Sequence, residues 1–231
     1  LELIDIAAVA EIARAANARL IVDNVFSTPI FQKPLTLGAH TVVYSATKHI
    51  DGQGRCLGGA VTSSRRFRDE VLEPFMRHTG PAISPFNAWT LSKSLETLGV
   101  RMDRHCDNAE KVVEFLSGHE AVEQVIYPGL PEHPGHEVAS LQMKRYGGIV
   151  SFRVKGGEAR ALEVCDRTDV FTLGESLGGV ESLIEHPGRM THASVAGTDL
   201  EVPADLIRLS VGIETVDDLL ADLDRALHAG G

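Results

Sequence analysis

Two short apolar runs, each closed by polar residues, constrain this chain more than any other feature. Leu20-Ile21-Val22 ends in Asp23, and Thr41-Val42-Val43-Tyr44 ends in Ser45-Ala46-Thr47-Lys48. Both are continuous and rich in β-branched residues, which predicts buried strands. A helical pattern precedes the first run. Asp5 can cap it, and Ile6, Val9, Ala10, Ile12, Ala13 and Ala16 cluster on one side. A helix feeding a strand in this way predicts an α/β fold with a mainly parallel sheet. In such sheets the carboxyl ends of the strands form the edge where ligands bind. Asp23 and Lys48 are expected together at that edge.

The rest of the chain continues the alternation. Residues 24–34 read as a loop with two prolines, and 49–55 as a Gly-rich tail after the lysine that matches no phosphate-loop pattern. A strand is expected over 58–62, a charged helix over 64–76, and a break at Gly80-Pro81-Ala82-Ile83-Ser84-Pro85. Pro85 can open a further helix through Trp89, Leu91 and Leu95. A separate amphipathic stretch over 100–116 is expected to link two domains, 1–104 and 105–231. The second part predicts strands over 122–127, 147–154, 180–185 and 206–211, with a helix over 158–166. A last helix over 214–229 carries the apolar stripe Val216, Leu219, Leu220, Leu223, Leu227.

Charge and composition exclude some classes. A net charge of −10 argues against a nucleic-acid partner, and no apolar run reaches the ~18 residues of a membrane span. Three widely spaced cysteines, Cys56, Cys106 and Cys165, fit a reducing cytoplasm rather than a disulfide framework. Cys56 lies close to the lysine loop and reads either as a reactive thiol or as a plain buried one. His105-Cys106 are neighbours and point apart on a helix. His133 and His136 lack further ligands nearby, so neither pair reads as a metal site. His186 and His192 read as structural.

Lys48 and Asp23 alone would read as a surface lysine and a turn former. Together at one sheet edge, with hydroxyls beside them, they suit pyridoxal 5'-phosphate (PLP). A lysine amine can form a Schiff base with its aldehyde, and a carboxylate can pair with its protonated ring nitrogen. Ser45 and Thr47 are two residues apart, so their hydroxyls are expected on one side, facing the phosphate. Arg208 stands inside the apolar run Leu206-Ile207-Arg208-Leu209. It reads either as a carboxylate-gripping arginine or as half of a structural salt bridge.

Three blocks carry a resemblance that covers essentially the whole chain. These are Val22-Asp23-Asn24-Val25-Phe26-Ser27-Thr28-Pro29, Tyr44-Ser45-Ala46-Thr47-Lys48 and Ser176-Leu177-Gly178-Gly179-Val180-Glu181-Ser182-Leu183-Ile184-Glu185-His186-Pro187. Together they resemble the Cys/Met-metabolism family of PLP enzymes. The resemblance implies PLP fold type I, of the aspartate aminotransferase kind: the C-terminal part of a large domain and a small α+β C-terminal domain. It implies that Lys48 carries the cofactor, with Asp23, Ser45 and Thr47 binding it, and that Arg208, Ser176 and Thr191 meet the substrate carboxylate. Family members are longer, so the chain is expected to be a C-terminal portion. The N-terminal part is expected to supply the ring-stacking aromatic, phosphate-binding amides and residues shared with a neighbouring subunit. A homo-oligomer, dimer or tetramer, with shared active sites follows.

Many members carry Lys-Tyr-x-x-Gly-His-Ser-Asp at the lysine. Here His49 replaces the Tyr, and Asp51-Gly52-Gln53-Gly54-Arg55-Cys56 replaces the remainder. This variant resembles that of O-succinylhomoserine sulfhydrylases. It implies γ-replacement of O-succinylhomoserine by sulfide, giving homocysteine for methionine biosynthesis in the cytoplasm. The alternatives are a cystathionine γ-synthase, a methionine or cystathionine γ-lyase, or a non-catalytic piece that serves only as an oligomer surface.

Overall fold

A computed structural model describes residues 1–228, so Ala229 of the expected last helix and the final two glycines lie outside the described residues. Helix α1 (Ile6–Ala15) opens the fold, and Asp5 caps it by accepting from Ala8 N at 2.9 Å. It buries Ile6, Ala10 and Ala13, whereas Ile12, expected on the same side, is 68% exposed. Strand β1 (Ile21–Asp23), the short helix α2 (Thr28–Phe31), β2 (Thr41–Ser45) and β3 (Gly59–Ser63) follow. The sheet order is β1-β2-β3, with β1 and β2 parallel but β2 and β3 antiparallel.

This corrects the expectation of a mainly parallel sheet. A parallel return needs a crossover, usually a helix. The segment between β2 and β3 instead folds as a turn and a Gly-rich loop at the edge β2 has just left. The expectation of two buried strands also holds only for one. Val42 of β2 is 1% exposed, but Ile21 of the edge strand β1 is 58% exposed.

Helices α3 (Arg65–Phe67) and α4 (Glu73–Thr79) follow, and Gly80 closes α4 at φ +83°. Then α5 (Pro85–Gly118) runs unbroken for 34 residues, where two separate stretches are expected from sequence. Ser84 caps it by accepting from Asn87 N at 3.1 Å, and Pro85 occupies its first position. Leu98, Met102 and Cys106 of α5 pack with Phe31 in one core cluster. Ala109, Val112, Val113 and Leu116 enter another.

That second cluster fills the C-terminal half. Its sheet, in the order β4-β5-β8-β7-β6, comprises β4 (Val122–Ile126), β5 (Ile149–Val154), β6 (Thr172–Leu173), β7 (Leu183–Glu185) and β8 (Leu206–Ser210). Only the β6–β7 pair is parallel. Helices α6 (His136–Gln142), α7 (Gly157–Arg167), α8 (Pro187–Met190) and α9 (Val216–His228) are the remaining helices named among the described residues. Val150, Phe152 and Val154 of β5 pack with Ile207 and Leu209 of β8, Val164 of α7, and Leu219 and Leu223 of α9. The strand β6 has no period-two signal over its two residues and is not expected from sequence.

Phe152 is fully buried at the centre of this cluster. Phe152→Ala is expected to lower unfolding free energy by about 3–5 kcal/mol in urea titrations, and Ile12→Ala by at most about 0.5 kcal/mol.

Candidate active site

The site is built where β1 and β2 end. Their parallel register sets Asp23 opposite Val43, so both carboxyl ends reach the same sheet edge. After Ser45 the chain enters a wide turn, Ala46–Ile50, in which Asp51 N bonds Ala46 O and Gly52 N bonds Lys48 O, each at 2.8 Å. Lys48 itself leaves helical geometry, at φ −86° and ψ −126°. Its Nζ donates to Ser176 Oγ at 3.0 Å, across 128 residues of sequence. Asp23 Oδ1 accepts from Val25 N at 3.0 Å. Asp23, Asn24, Phe26, Ser45, Lys48 and Leu177 line one cavity of about 540 Å³, whose wall also includes residues 1–4.

Thr47 departs from expectation. Its hydroxyl is engaged by Gly58, accepting from Gly58 N at 3.2 Å and donating to Gly58 O at 3.4 Å, and it is not among the residues lining the cavity. The period-two argument pairing it with Ser45 requires a strand through both residues. The strand ends at Ser45.

The three residues expected at the substrate end come together around one ion pair. Arg208 Nη1 lies 2.9 Å from Glu185 Oε1, opposite it in the β7–β8 register. Arg208 Nη2 donates to Ser176 O at 2.9 Å and to Glu175 O at 3.2 Å. Thr191 Oγ1 donates to the same Glu185 oxygen at 3.2 Å and lies 2.8 Å from His192 Nδ1. A continuous line therefore runs from Lys48 through Ser176 and Arg208 to Glu185 and Thr191. Burial raises the Glu185 carboxyl above its ordinary range despite the opposing pull of Arg208. Burial likewise lowers the Arg208 guanidinium, with Glu185 opposing. Glu185 Oε2 and Arg208 Nε are buried without a partner, so the pair is only half satisfied.

The histidine after the lysine is wholly enclosed. Burial, then the neighbouring His105, pushes the His49 pKa down to about 3. Its ring lies against Gly178, where an added Cβ would come within 2.7 Å of it. Gly178 also sits at φ +76°, a conformation that only glycine adopts without strain. Cys56 is half-buried beside Ala46, Ile50 and Leu91, and burial raises its thiol. That shift opposes thiolate formation and favours the inert reading. His133 bonds Leu1 O, and His186 bonds Ala204 O. His119, Asp224 and His228 lie together at the far end of the chain. His119 Nδ1 accepts from Ala121 N, however, which leaves the proton on the nitrogen facing Asp224. A neutral ring in that tautomer presents no lone pair to an ion there, and its Nε2 lies 3.7 Å from Asp224 Oδ1 without a hydrogen bond.

Residues 1–228 match the model of the Cys/Met metabolism PLP-dependent enzyme family. The chain belongs to that family. It is 50% identical to a cystathionine gamma-synthase of Mycobacterium leprae over 99% of its own length and 59% of the relative's. It is 46% identical to an O-succinylhomoserine sulfhydrylase of Mycobacterium tuberculosis, over 97% of the chain and 57% of the relative. The crystal structure of metB from Corynebacterium glutamicum superposes with a TM-score of 0.95 at 53% identity, covering 99% of this chain and 59% of that one. The chain thus spans about three fifths of the relatives it matches.

The family is PLP-dependent, so pyridoxal 5'-phosphate is the cofactor. The residues present fit it. An amine and a carboxylate from adjacent strand ends share a cavity of about 540 Å³, within the usual range for a small-molecule site. Sequence reasoning missed Glu185 as the partner of Arg208. A second charge lay in the adjoining apolar run, Leu183-Ile184-Glu185, and the pairing logic applied to Arg208 would have found it.

His49 makes the site's stability depend on pH. Its folded pKa of about 3 lies below the ordinary 6.5, so the unfolded chain binds the extra proton between those values. Stability contributed by neutral His49 is complete above pH 6.5 and falls on acidification, at about 1.4 kcal/mol per pH unit. Urea midpoints of the parent and His49→Gln, measured from pH 7 to 4, are expected to converge as pH falls.

Proposed function

We propose that the complete protein catalyses PLP-dependent γ-replacement on an O-acylated homoserine. O-succinylhomoserine and sulfide are the proposed substrates and homocysteine the product, within methionine biosynthesis. The observation that carries this reading is the meeting of Lys48 Nζ with Ser176 Oγ at the edge that also presents Asp23. When bound, the cofactor supplies an electron sink that stabilises negative charge developing at the substrate Cα.

The remaining roles belong to side chains. Lys48 holds the cofactor through Nζ and, once released from it, carries protons between substrate carbons. A primary amine on a four-carbon stem can reach more than one position without backbone movement. Asp23 holds the proton on the ring nitrogen. Ser45 faces the phosphate from the cavity wall; Thr47 acts through Gly58, whose backbone it orders. Arg208 grips the substrate α-carboxylate with Ser176 and Thr191 beside it. Glu185 and the carbonyls of Glu175 and Ser176 hold the Arg208 guanidinium, which fixes the plane of the fork for that role.

The lysine-loop sequence His49-Ile50-Asp51-Gly52-Gln53-Gly54-Arg55 favours sulfide as the nucleophile. The identities of 50% and 46% to a named synthase and a named sulfhydrylase keep cystathionine γ-synthase as the second reading. No helix among the described residues is long and apolar enough to cross a membrane. We further propose a cytoplasmic homo-oligomer, dimer or tetramer, with shared active sites. The proposed division into 1–104 and 105–231 is supported by the change of core partners along α5.

Full-length protein incubated with O-succinylhomoserine plus sulfide, and separately plus cysteine, decides the nucleophile. Homocysteine from sulfide alone is the expected result; cystathionine from cysteine would favour the second reading. Release of ammonia and a 2-oxo acid from methionine or cystathionine would point to a lyase. Lys48→Ala is expected to lower kcat by at least about 10³-fold and to abolish borohydride labelling at that position. Parent-like turnover in Lys48→Ala would leave only an oligomer-surface role.

A further inference from the structure

The long helix α5 runs alongside the lysine turn and points a buried cation at it. Arg101 is 4% exposed. The turn closes its own hydrogen bonds through Ala46 O and Lys48 O, and the next two carbonyls accept from this side chain instead. Arg101 Nη1 donates to His49 O at 2.7 Å, and Nη2 to Ile50 O at 3.2 Å. Nη2 also reaches Ser94 O at 3.1 Å, and Nε reaches Thr97 Oγ1 at 3.2 Å, which anchors the guanidinium to its own helix. A planar fork can span two successive carbonyls; a single ammonium cannot hold both in fixed directions.

The surrounding residues are arranged to admit this fork. Asp51 is fully buried and accepts from Arg55 N at 2.6 Å and Arg55 Nε at 3.0 Å, while Arg55 Nη2 reaches Ser94 Oγ on α5. Gly52 stands at φ +68°, and a Cβ there would come within 2.1 Å of Arg101 Nη1. Gly52 O accepts from Val180 N at 2.8 Å, which carries the same support into the segment that follows Ser176. The guanidinium therefore holds the peptides that follow Lys48 from one side, and the Ser176–Val180 segment holds them from another.

We propose that Arg101 is a positioning residue for Lys48. It clamps the two carbonyls after the lysine to α5 and thereby fixes the direction in which Nζ leaves the backbone. Arg101 touches neither substrate nor cofactor in this role and acts only through the turn. The inference rests on the reading of Lys48 as the residue that holds the cofactor.

The test uses full-length protein carrying Arg101→Gln, Arg101→Ala or Arg101→Lys. One readout is the rate at which cofactor-free protein attaches pyridoxal phosphate at Lys48, followed by visible absorbance. The other is the separation of kcat from KM. In variants whose thermal unfolding lies above the assay temperature, Arg101→Gln is expected to slow attachment and to lower kcat by about 10²-fold, with KM within about twofold. Arg101→Lys, which keeps the charge without the fork, is expected to fall between Gln and the parent. It carries the test alone if Arg101→Gln does not fold. Added guanidinium ion is expected to restore part of the attachment rate in Arg101→Ala. A folded variant with parent-like attachment rate and kcat overturns the inference and leaves Arg101 a purely structural residue. A parent protein that forms no adduct at Lys48 overturns the cofactor reading itself, a result distinct from a normal parent with unaffected variants.

Discussion

Three residue pairs between β1 and β2 decide where the chemistry of this chain lies. Ile21, Val22 and Asp23 stand opposite Thr41, Val42 and Val43 in a parallel ladder. Parallel pairing sends both chain exits to one edge, which is what brings an acid and an amine from segments 25 residues apart into one cavity. Burial holds β2 on both faces, with Thr41 3% and Val42 1% exposed, so β2 offers β1 a fixed ladder. On that ladder a slip of β1 by one residue would turn Asp23 to the other side of the sheet.

The lysine turn couples that sheet to the C-terminal half. Four contacts make the coupling: Lys48 to Ser176, His49 against Gly178, Gly52 to Val180 and, one step further on, Gly178 N to Ser210 Oγ at 2.8 Å. Ser210 closes β8, the strand that carries Arg208. The residues proposed to hold the cofactor and those proposed to hold the substrate carboxylate are thus joined through backbone, not merely adjacent. Arg208 and Glu185 sit at the far end of this line as an ion pair in which the buried atoms Glu185 Oε2 and Arg208 Nε lack partners. Burial penalises both charges more than their mutual attraction recovers. Such a pair is poorly suited to stabilising the fold.

The parts of the fold legible in the sequence were those with a local period or a local cap. Asp5 and Ser84 announce helix starts, the stripe from Val216 to Leu227 announces α9, and the run from Thr41 announces β2. Lys48, Asp23, Ser176 and Arg208 are proposed from the sequence because three blocks resemble one family, and because a charge inside an apolar strand demands a reason. What was not legible depended on distant partners. The helix expected from Pro85 through Leu95 and the stretch expected over 100–116 join in one helix, because Leu98 and Met102 are both buried against Phe31 across the join. The antiparallel return of β3 follows from the shape of the loop before it, which no periodicity encodes. Thr47 lost its expected place because the strand ended two residues earlier than the alternation required.

Helix α5 shows why the lysine turn is held by polar groups as well as by the apolar packing of Ala46 and Ile50 on Leu91. Its C-terminal half buries Ala109, Val112, Val113 and Leu116 against the second sheet, an attraction that depends on area and hardly on direction. That suffices where the need is cohesion. At the turn the need is orientation, because Nζ must leave the backbone along one line while its own stem stays free to move. Hydrogen bonds are directional, and two of them from one rigid guanidinium fix a pair of peptide planes in a way that a leucine could not. Burying Arg101 beside Asp51 and Arg55 costs desolvation, and burial does lower the Arg101 pKa. The geometry around Gly52 shows that the fold accepts this cost. A side chain there would collide with the guanidinium, so the loop has given up a Cβ to let the arginine in. One helix therefore serves two physical ends, cohesion along its whole length and orientation where Arg101 meets the lysine turn.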